Sequence, residues 1–204
     1  FIDLNADALD PELLLVIFQR MSKLRTYLDQ DFAKRYWDDA TDLVRQGKAL
    51  LQVQGTWVNG EFIALDLIPG VDYQCFNFPA TQGMFLFNSD QYVFFKDSKT
   101  DTDTLTRLVK TLMDADFQRD LNLRTGAAPA RADVPLTHFN SCGQRSIAHM
   151  RSSNMRRSLM GSIAMGNANP AHTKEAIYRV VSDHFYWRIT DTQAVSRLQA
   201  AVIT

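Results

Sequence analysis

The chain has 204 residues, a formal net charge of −1 and 46% hydrophobic residues, which is ordinary for a globular protein of one or two domains. The near-neutral charge excludes the strongly basic surface that is typical of nucleic-acid-binding proteins. The longest apolar run, residues 13–18, is six residues long, far short of the roughly 18 that a membrane-spanning helix needs. We therefore expect neither nucleic-acid binding nor membrane insertion.

Two helices are predicted in the first quarter of the chain. Asp10 and Pro11 are a typical N-cap and first helical residue, and apolar residues then recur at every third or fourth position. This predicted apolar face consists of Leu13, Leu14, Ile17, Met21, Leu24 and Leu28. A second helix is predicted from about residue 38 to residue 46, where Gly47 is a typical helix stop.

The middle of the chain alternates between β-favouring segments and turn signals, and the second half is mostly helical. Strands are predicted over residues 49–54, 73–78, 84–87 and 92–95. Helices are predicted over residues 102–113, 116–123, 144–152, 156–164, 171–187 and 191–202. A helix-rich order with a few short strands predicts an α/β or α+β fold.

The two cysteines, Cys75 and Cys142, lie too far apart in sequence for a CxxC or Cys/His metal motif. From the residues alone, they are either two buried thiols or one disulfide. The first residues show no basic segment followed by an apolar segment, so no signal peptide is visible. The opening residues, Phe1 to Leu4, read like the interior of a longer protein.

One segment carries the clearest functional signal. A helix ends at Gly47, a short apolar segment follows, the chain breaks at Gly55, and Trp57 comes directly after the break. Glycine lets a backbone turn sharply and approach a neighbour closely, so this tryptophan can present its flat face to a cleft. Asn59-Gly60-Glu61-Phe62 completes the motif.

This motif resembles the "GKAAM…GxW" segment of extracellular solute-binding proteins (family 1) that serve carbohydrate ABC transporters. Seven family-like blocks follow one another in the family's order over essentially the whole chain. They are GKALLQVQGTWVNGEF, PGVDYQCFNFPAT, FLFNSDQYVFFK, FQRDLNLRTGAAPAR, SCGQRSIAHM, MGSIAMGNANP and AIYRVVSDHF. The match is to the C-terminal half of the glucose-binding-protein-like branch, so we expect an N-terminal half to be missing from this chain.

The resemblance implies the periplasmic-binding-protein type II fold, an α/β fold in which two lobes enclose the ligand. Residues 1–68 and 135–204 would form the C-terminal lobe, and residues 69–134 would be a returning segment of the N-terminal lobe with hinge crossings. An exported protein would lie in the periplasm or elsewhere outside the cytoplasm. This location favours a Cys75–Cys142 disulfide over two free thiols.

The resemblance also implies a sugar site, because a pyranose has apolar faces that stack on aromatic rings and a rim of hydroxyls that needs hydrogen bonds. Trp57 corresponds to a stacking tryptophan, Trp37 to a second aromatic wall, and Asp90 to a carboxylate that accepts hydrogen bonds from hydroxyls. Thr125 stands where the family has a lysine, and Met165 where it has a histidine. These two departures imply a ligand that is not necessarily glucose.

The implied function is the substrate-binding component of a sugar ABC transporter, with a carbohydrate ligand and permease subunits as partners. The alternative is an interaction or sensory protein on the same fold with an altered pocket. No nucleophile elbow, paired-carboxylate motif or phosphate-binding loop is present, and the four histidines show no metal-ligand spacing. We therefore expect no enzymatic activity, no metal and no cofactor.

One segment, residues 134–174, has five basic residues and no acidic residue. The five are Arg145, Arg151, Arg156, Arg157 and Lys174. A solvated helix face is the simpler interpretation of such a run, and a contact patch for a permease or a sensor partner is the alternative.

Overall fold

The computed structural model describes residues 9–96 and 99–203, with the side chain of Ile203 left out. This part of the chain is helix-rich, with one small sheet. The helices are α1 (Pro11–Arg25), α2 (Trp37–Arg45), α3 (Val58–Ala64), α4 (Thr102–Leu112), α5 (Ala115–Thr125), α6 (Ser141–Met155), α7 (Ala171–Phe185) and α8 (Asp191–Ile203). The strands are β1 (Phe85–Phe87) and β2 (Leu159–Gly161).

The helices begin and end where the sequence carries capping residues. The Asp10 carboxylate accepts a hydrogen bond from the Glu12 N–H at 2.9 Å, and Asp101 caps α4 in the same way. Gly126 ends α5 with a φ of 70°, a left-handed conformation that glycine adopts without a steric penalty. The predicted helices over 102–113, 116–123, 144–152, 171–187 and 191–202 and the two near the start of the chain are confirmed.

The strand predictions are mostly wrong. Residues 84–87 contain β1, but residues 49–54, 73–78 and 92–95 form no named strand. Among the described residues, the backbone of these three segments finds no ladder partner beyond an isolated bridge between Pro69 and Tyr73. Residues 156–164 are not helical either, because Arg157 adopts a φ of 55° and the chain continues into β2.

The sheet consists of β1 and β2, which pair in parallel. The Phe85 N–H donates to the Ser158 carbonyl at 3.3 Å, and the Ser162 N–H donates to the Phe87 carbonyl at 2.8 Å. Because parallel strands share a direction, the segments that follow β1 and β2 emerge at the same edge of the sheet.

The chain divides into two compact units. The first, called unit 1, contains the described residues through Lys34, then Leu86–Asp90, then the chain from Met160 onward. Helices α1, α7 and α8 pack against one another around its core. The core side chains include Leu14, Phe18, Ile177, Val180, Ala194, Val195, Leu198 and Val202.

The packing of α1 corrects the predicted apolar face. Leu14 and Phe18 are buried, but Leu13, Ile17 and Leu24 are exposed. Two apolar stripes lie side by side on this helix, and the stripe through Leu14 and Phe18 is the one that packs on α7 and α8.

Unit 2 contains Arg35–Phe85 and Gln91–Leu159. Helix α3 packs against both α2 and α5, and Val134, Phe139 and Ile147 form a small buried core. Cys75 and Cys142 form a disulfide with a Cα–Cα distance of 5.8 Å, which confirms the predicted bond. The assignment of residues 1–68, 69–134 and 135–204 to lobes of a longer protein stays a prediction.

Candidate functional site

Trp57 lies at the start of a helix that the sequence did not predict. It is the N-cap residue of α3, it is half-buried, and its carbonyl accepts a hydrogen bond from the Gly60 N–H at 2.9 Å. Its indole ring folds back over Gly55, where a Cβ atom would overlap the six-membered ring. A glycine at position 55 is therefore required by the indole ring, because only a residue without a side chain leaves room for the ring.

A close backbone crossing brings the first turn of α3 to the end of α5. A Cβ on Gly60 would lie 2.7 Å from the Thr125 carbonyl oxygen, and a Cβ on Gly126 would lie 3.0 Å from the Asn59 carbonyl carbon. Both glycines are needed for the two backbones to approach this closely. The crossing places Thr125, whose side chain is exposed, beside the turn of helix that Trp57 begins.

Trp37 is connected to the same segment through its backbone. Its carbonyl accepts hydrogen bonds from Thr41 Oγ1 at 3.1 Å and from Gln52 Nε2 at 2.9 Å. The Thr41 hydroxyl is also 2.9 Å from Gln52 Oε1. These bonds hold the segment before Gly55 against the start of α2, and the Trp37 side chain remains 43% exposed. Unit 2 thus brings Trp37, Trp57 and Thr125 onto connected elements.

A polar cluster that sequence reasoning missed supports α3 from another side. The Tyr73 hydroxyl donates to Asn59 Oδ1 at 2.5 Å, and the amides of Asn59 and Asn140 exchange hydrogen bonds at 3.3 Å. The Tyr73 ring stacks on Phe62 with a centroid distance of 4.3 Å. Burial raises the pKa of Tyr73, because a phenolate is poorly solvated there, while the Asn140 hydrogen bond opposes this.

The disulfide lies next to this cluster. Tyr73 is two residues before Cys75, and Asn140 is two residues before Cys142. Asn140 also caps α6, because its Oδ1 accepts a hydrogen bond from the Gly143 N–H at 2.9 Å. Asparagine directly before a helix is a common N-cap, and this is the one sequence signal that could have pointed to the cluster.

Asp90 and Met165 belong to unit 1, where they follow the carboxyl ends of the two parallel strands. The Ser89 carbonyl, next to Asp90, accepts a hydrogen bond from Asn167 Nδ2 at 3.3 Å. The Met165 N–H donates to Ser162 Oγ at 3.3 Å. Both predicted side chains are exposed, and they emerge at the sheet edge where open α/β folds usually bind ligands.

Unit 1 also contains a serine, a histidine and an aspartate in contact. His184 is fully buried, and its Nε2 lies 2.7 Å from Asp191 Oδ1 and 3.3 Å from Ser22 Oγ. A catalytic triad needs the two histidine nitrogens to face different partners. Here Nε2 faces both, and the buried Nδ1 has no hydrogen-bond partner among the described residues. The arrangement is therefore unsuited to nucleophilic catalysis.

This buried cluster instead joins three helices of unit 1. Arg25 of α1 donates hydrogen bonds to the His184 carbonyl and to Ser22 Oγ, and its guanidinium lies 4.8 Å from the Trp187 ring centroid. The hydrogen bonds from His184 and then Ser22 lower the pKa of Asp191 below its usual range.

Two side chains of the basic run donate hydrogen bonds to backbone carbonyls within unit 2. Arg145 donates a hydrogen bond to the Cys75 carbonyl, and Arg151 donates one to the Val134 carbonyl at 2.6 Å. Lys174 lies in unit 1, whereas the four arginines lie in unit 2. Two of the five cations therefore hold backbone segments together inside unit 2.

Comparison with known proteins identifies the relatives of this chain. A protein of Brucella suis is 42% identical over 202 residues, which is 99% of this chain and 48% of that protein. A protein of Rhizobium meliloti is 41% identical over 202 residues, which is 99% of this chain and 49% of that protein. Both are named probable sugar-binding periplasmic proteins. The chain is a homologue of these two proteins. The resemblance predicted from the seven sequence blocks is confirmed.

A more distant relative agrees with this result. A protein of Pyrococcus horikoshii, named as an uncharacterised ABC transporter extracellular-binding protein, is 29% identical over 170 residues, or 83% of this chain and 37% of that protein. These names confirm the extracytoplasmic location that the resemblance implies, and none of the three is an enzyme name. A scan against protein-family models finds no match.

The chain spans about half the length of the curated relatives it matches. Among the residues that the structure describes, no helix combines the length and apolarity needed to span a bilayer.

Proposed function

We propose that the chain is part of the substrate-binding component of a sugar ABC transporter, which captures a mono- or oligosaccharide and delivers it to membrane permease subunits. The observation that carries the proposal is the 36–42% identity, over 99% of the chain, to proteins named probable sugar-binding periplasmic proteins. The complete protein would have the type II fold, with the ligand in a cleft between two lobes.

The side chains named above have the chemistry that a sugar needs. Trp57 and Trp37 would stack on the apolar faces of a pyranose, and the Asp90 carboxylate would accept hydrogen bonds from its hydroxyls. Thr125 would contribute a weaker, neutral hydroxyl, and Met165 would contact a less polar part of the ligand. A ligand with an apolar substituent or a second sugar unit suits this set better than glucose alone.

Binding of this kind requires no covalent chemistry, no metal and no cofactor. The ligand would stabilise the closed arrangement of the two lobes because it contacts both of them. The permease would then recognise the closed form. The function would thus be to bind the sugar and to shift the protein from its open to its closed arrangement. We propose that the protein is not an enzyme.

The test is calorimetric titration of the complete gene product that contains this chain with a panel of mono- and disaccharides. We expect one class of sugar to bind, and we expect Trp57→Ala to reduce its affinity by about tenfold or more, because a buried aromatic contact is lost. Trp187→Ala is the matched control, since it removes a 61% exposed ring outside the proposed site.

One outcome contradicts the proposed function, and another contradicts only the proposed role of Trp57. If no sugar in the panel binds a correctly folded protein, the alternative of an interaction or sensory protein with an altered pocket is favoured. If a sugar binds but Trp57→Ala and Trp187→Ala behave alike, the protein is a sugar receptor whose site does not include Trp57.

A further inference from the structure

A cavity of about 560 Å³ that is broadly open to solvent lies along α7 in unit 1. Its volume is within the range of ligand sites, about 300–1,000 Å³. The residues that line it include Ala164, Lys174, Glu175, Tyr178, Arg179 and Ser182. Of these, only Lys174 was named in the sequence analysis, where it is part of the basic run, and none was predicted to contact a ligand.

The side chains of this cavity are available to a ligand. Lys174, Glu175, Tyr178 and Arg179 make no side-chain hydrogen bond or ion pair with any residue that the structure describes. The Tyr178 ring is 63% exposed. At one end of the cavity, Asp183 and Arg188 form an ion pair at 3.0 Å, so the charges of these two side chains offset each other.

The cavity adjoins the loop that carries Met165. Gly166 adopts a φ of 81°, and the Nζ atom of Lys174 lies 3.7 Å from the position that a Cβ on Gly166 would occupy. Lys174 thus lies over the residue directly after Met165, and Ala164, directly before Met165, lines the cavity. The cavity and the predicted ligand contact on the β2 side are therefore neighbours within one unit.

The side chains of the cavity can both donate and accept hydrogen bonds, which suits a ligand that carries several hydroxyl groups. Lys174 and Arg179 can donate, whereas Glu175 can accept. An exposed aromatic ring between such groups suits the apolar face of a sugar ring. A polyhydroxylated ring meets all of these requirements at once.

We propose that this cavity binds one sugar unit of the ligand, with the ring of Tyr178 against its C–H face. Lys174 donates to a hydroxyl oxygen, and Glu175 accepts from a hydroxyl group. The inference rests on the proposed sugar-binding function and narrows it, because a ligand that reaches both Met165 and Tyr178 contains more than one ring. The ligand class is then an oligosaccharide or a glycoside.

The experiment is the same titration, extended to Tyr178→Ala, Lys174→Met and Glu175→Gln. The matched controls are Tyr27→Ala and Lys23→Met, which change exposed residues of the same unit that do not line the cavity. We expect Tyr178→Ala and Lys174→Met each to weaken disaccharide binding by about tenfold and the controls to change it by less than about twofold. Monosaccharides should bind more weakly than disaccharides.

The failure of this inference is distinguishable from failure of the proposed function. If disaccharides bind and Trp57→Ala weakens them, but the three cavity variants match the wild-type Kd, the cavity is a solvated helix face and the inference is wrong. If no sugar binds the wild-type protein, both proposals are wrong. Circular dichroism of each variant shows whether the fold is retained.

Discussion

The contact between Gly55 and Trp57 gives the sharpest test of how the candidate site is built. Gly55→Ala adds one methyl group where the indole ring lies, and the Cβ would overlap the ring atoms. The backbone itself gives no reason for a glycine, because Gly55 is not among the residues with positive φ. The substitution therefore tests the ring contact and nothing else in the local geometry.

The expected magnitude follows from two opposing effects. Replacing glycine by alanine at an unstrained loop position stabilises a protein by about 0.4–1 kcal/mol, because the unfolded chain has fewer conformations. Forcing a packed side chain off its position costs about 1–3 kcal/mol. We expect the second effect to win with Trp57 present, so Gly55→Ala should lower the free energy of unfolding by about 1–2 kcal/mol.

The assay is urea denaturation followed by far-UV circular dichroism, on the wild-type chain, both single variants and the double variant. In the Trp57→Ala background the overlap is gone, so Gly55→Ala should be neutral or stabilising by up to about 1 kcal/mol. The resulting coupling energy is about 1–3 kcal/mol. Equal effects of Gly55→Ala in the two backgrounds would refute the reasoning, since the ring would then not occupy the space above residue 55.

Three further changes test other supports of the fold. Asp191→Asn should destabilise by about 1–3 kcal/mol near pH 7. The pKa of Asp191 is lowered in the folded state, so its carboxylate stabilises the fold above the unfolded pKa of about 3.9, and this stabilisation is lost as pH falls through the lower folded pKa. Urea titrations should therefore show the difference in free energy of unfolding between wild type and variant shrinking in acid. A difference that stays constant with pH would contradict this. Replacing Cys75 and Cys142 by serine should cost about 2–4 kcal/mol, since the bond joins residues 67 apart, and a reductant should destabilise the wild type but not this variant. Gly60→Ala should destabilise by about 1–3 kcal/mol despite the better helix propensity of alanine, because its Cβ would lie 2.7 Å from the Thr125 carbonyl oxygen; a stabilised variant would mean that α3 and α5 do not cross this closely.

The sequence was sufficient for most helices because their signals are local. Asp10, Asp101 and Gly126 act within one turn of their own helix, so capping rules predict these ends without knowledge of the fold. Strands depend on partners elsewhere in the chain. Residues 92–95 have strong β propensity but find no paired strand in the described part of the chain, whereas β2 forms in a segment with a helical pattern because Ser158 and Ser162 meet β1.

The candidate site could be predicted only where a motif pointed to it. Trp57 and Gly55 stand in a recognisable motif, and the structure gives the physical reason for their spacing. Asn59, Tyr73 and Asn140 lie up to 81 residues apart, and no local pattern reveals that they meet. The cavity along α7 was missed for a different reason, because charged residues on a helix face usually indicate only a solvated surface.

The glycines that position Trp57 and the side chains proposed to contact ligand differ in how strictly the fold constrains them. Gly55, Gly60 and Gly126 are fixed by backbone and ring contacts that leave no room for a methyl group. Thr125 and Met165, in contrast, have exposed side chains, and exposed positions usually tolerate substitution within about 0.5 kcal/mol of stability. The proposed contact residues can therefore change without disturbing the scaffold. A protein built in this way can keep its fold while its ligand changes. We therefore propose that the departures at Thr125 and Met165 affect the choice of ligand and leave the folding of the chain unchanged.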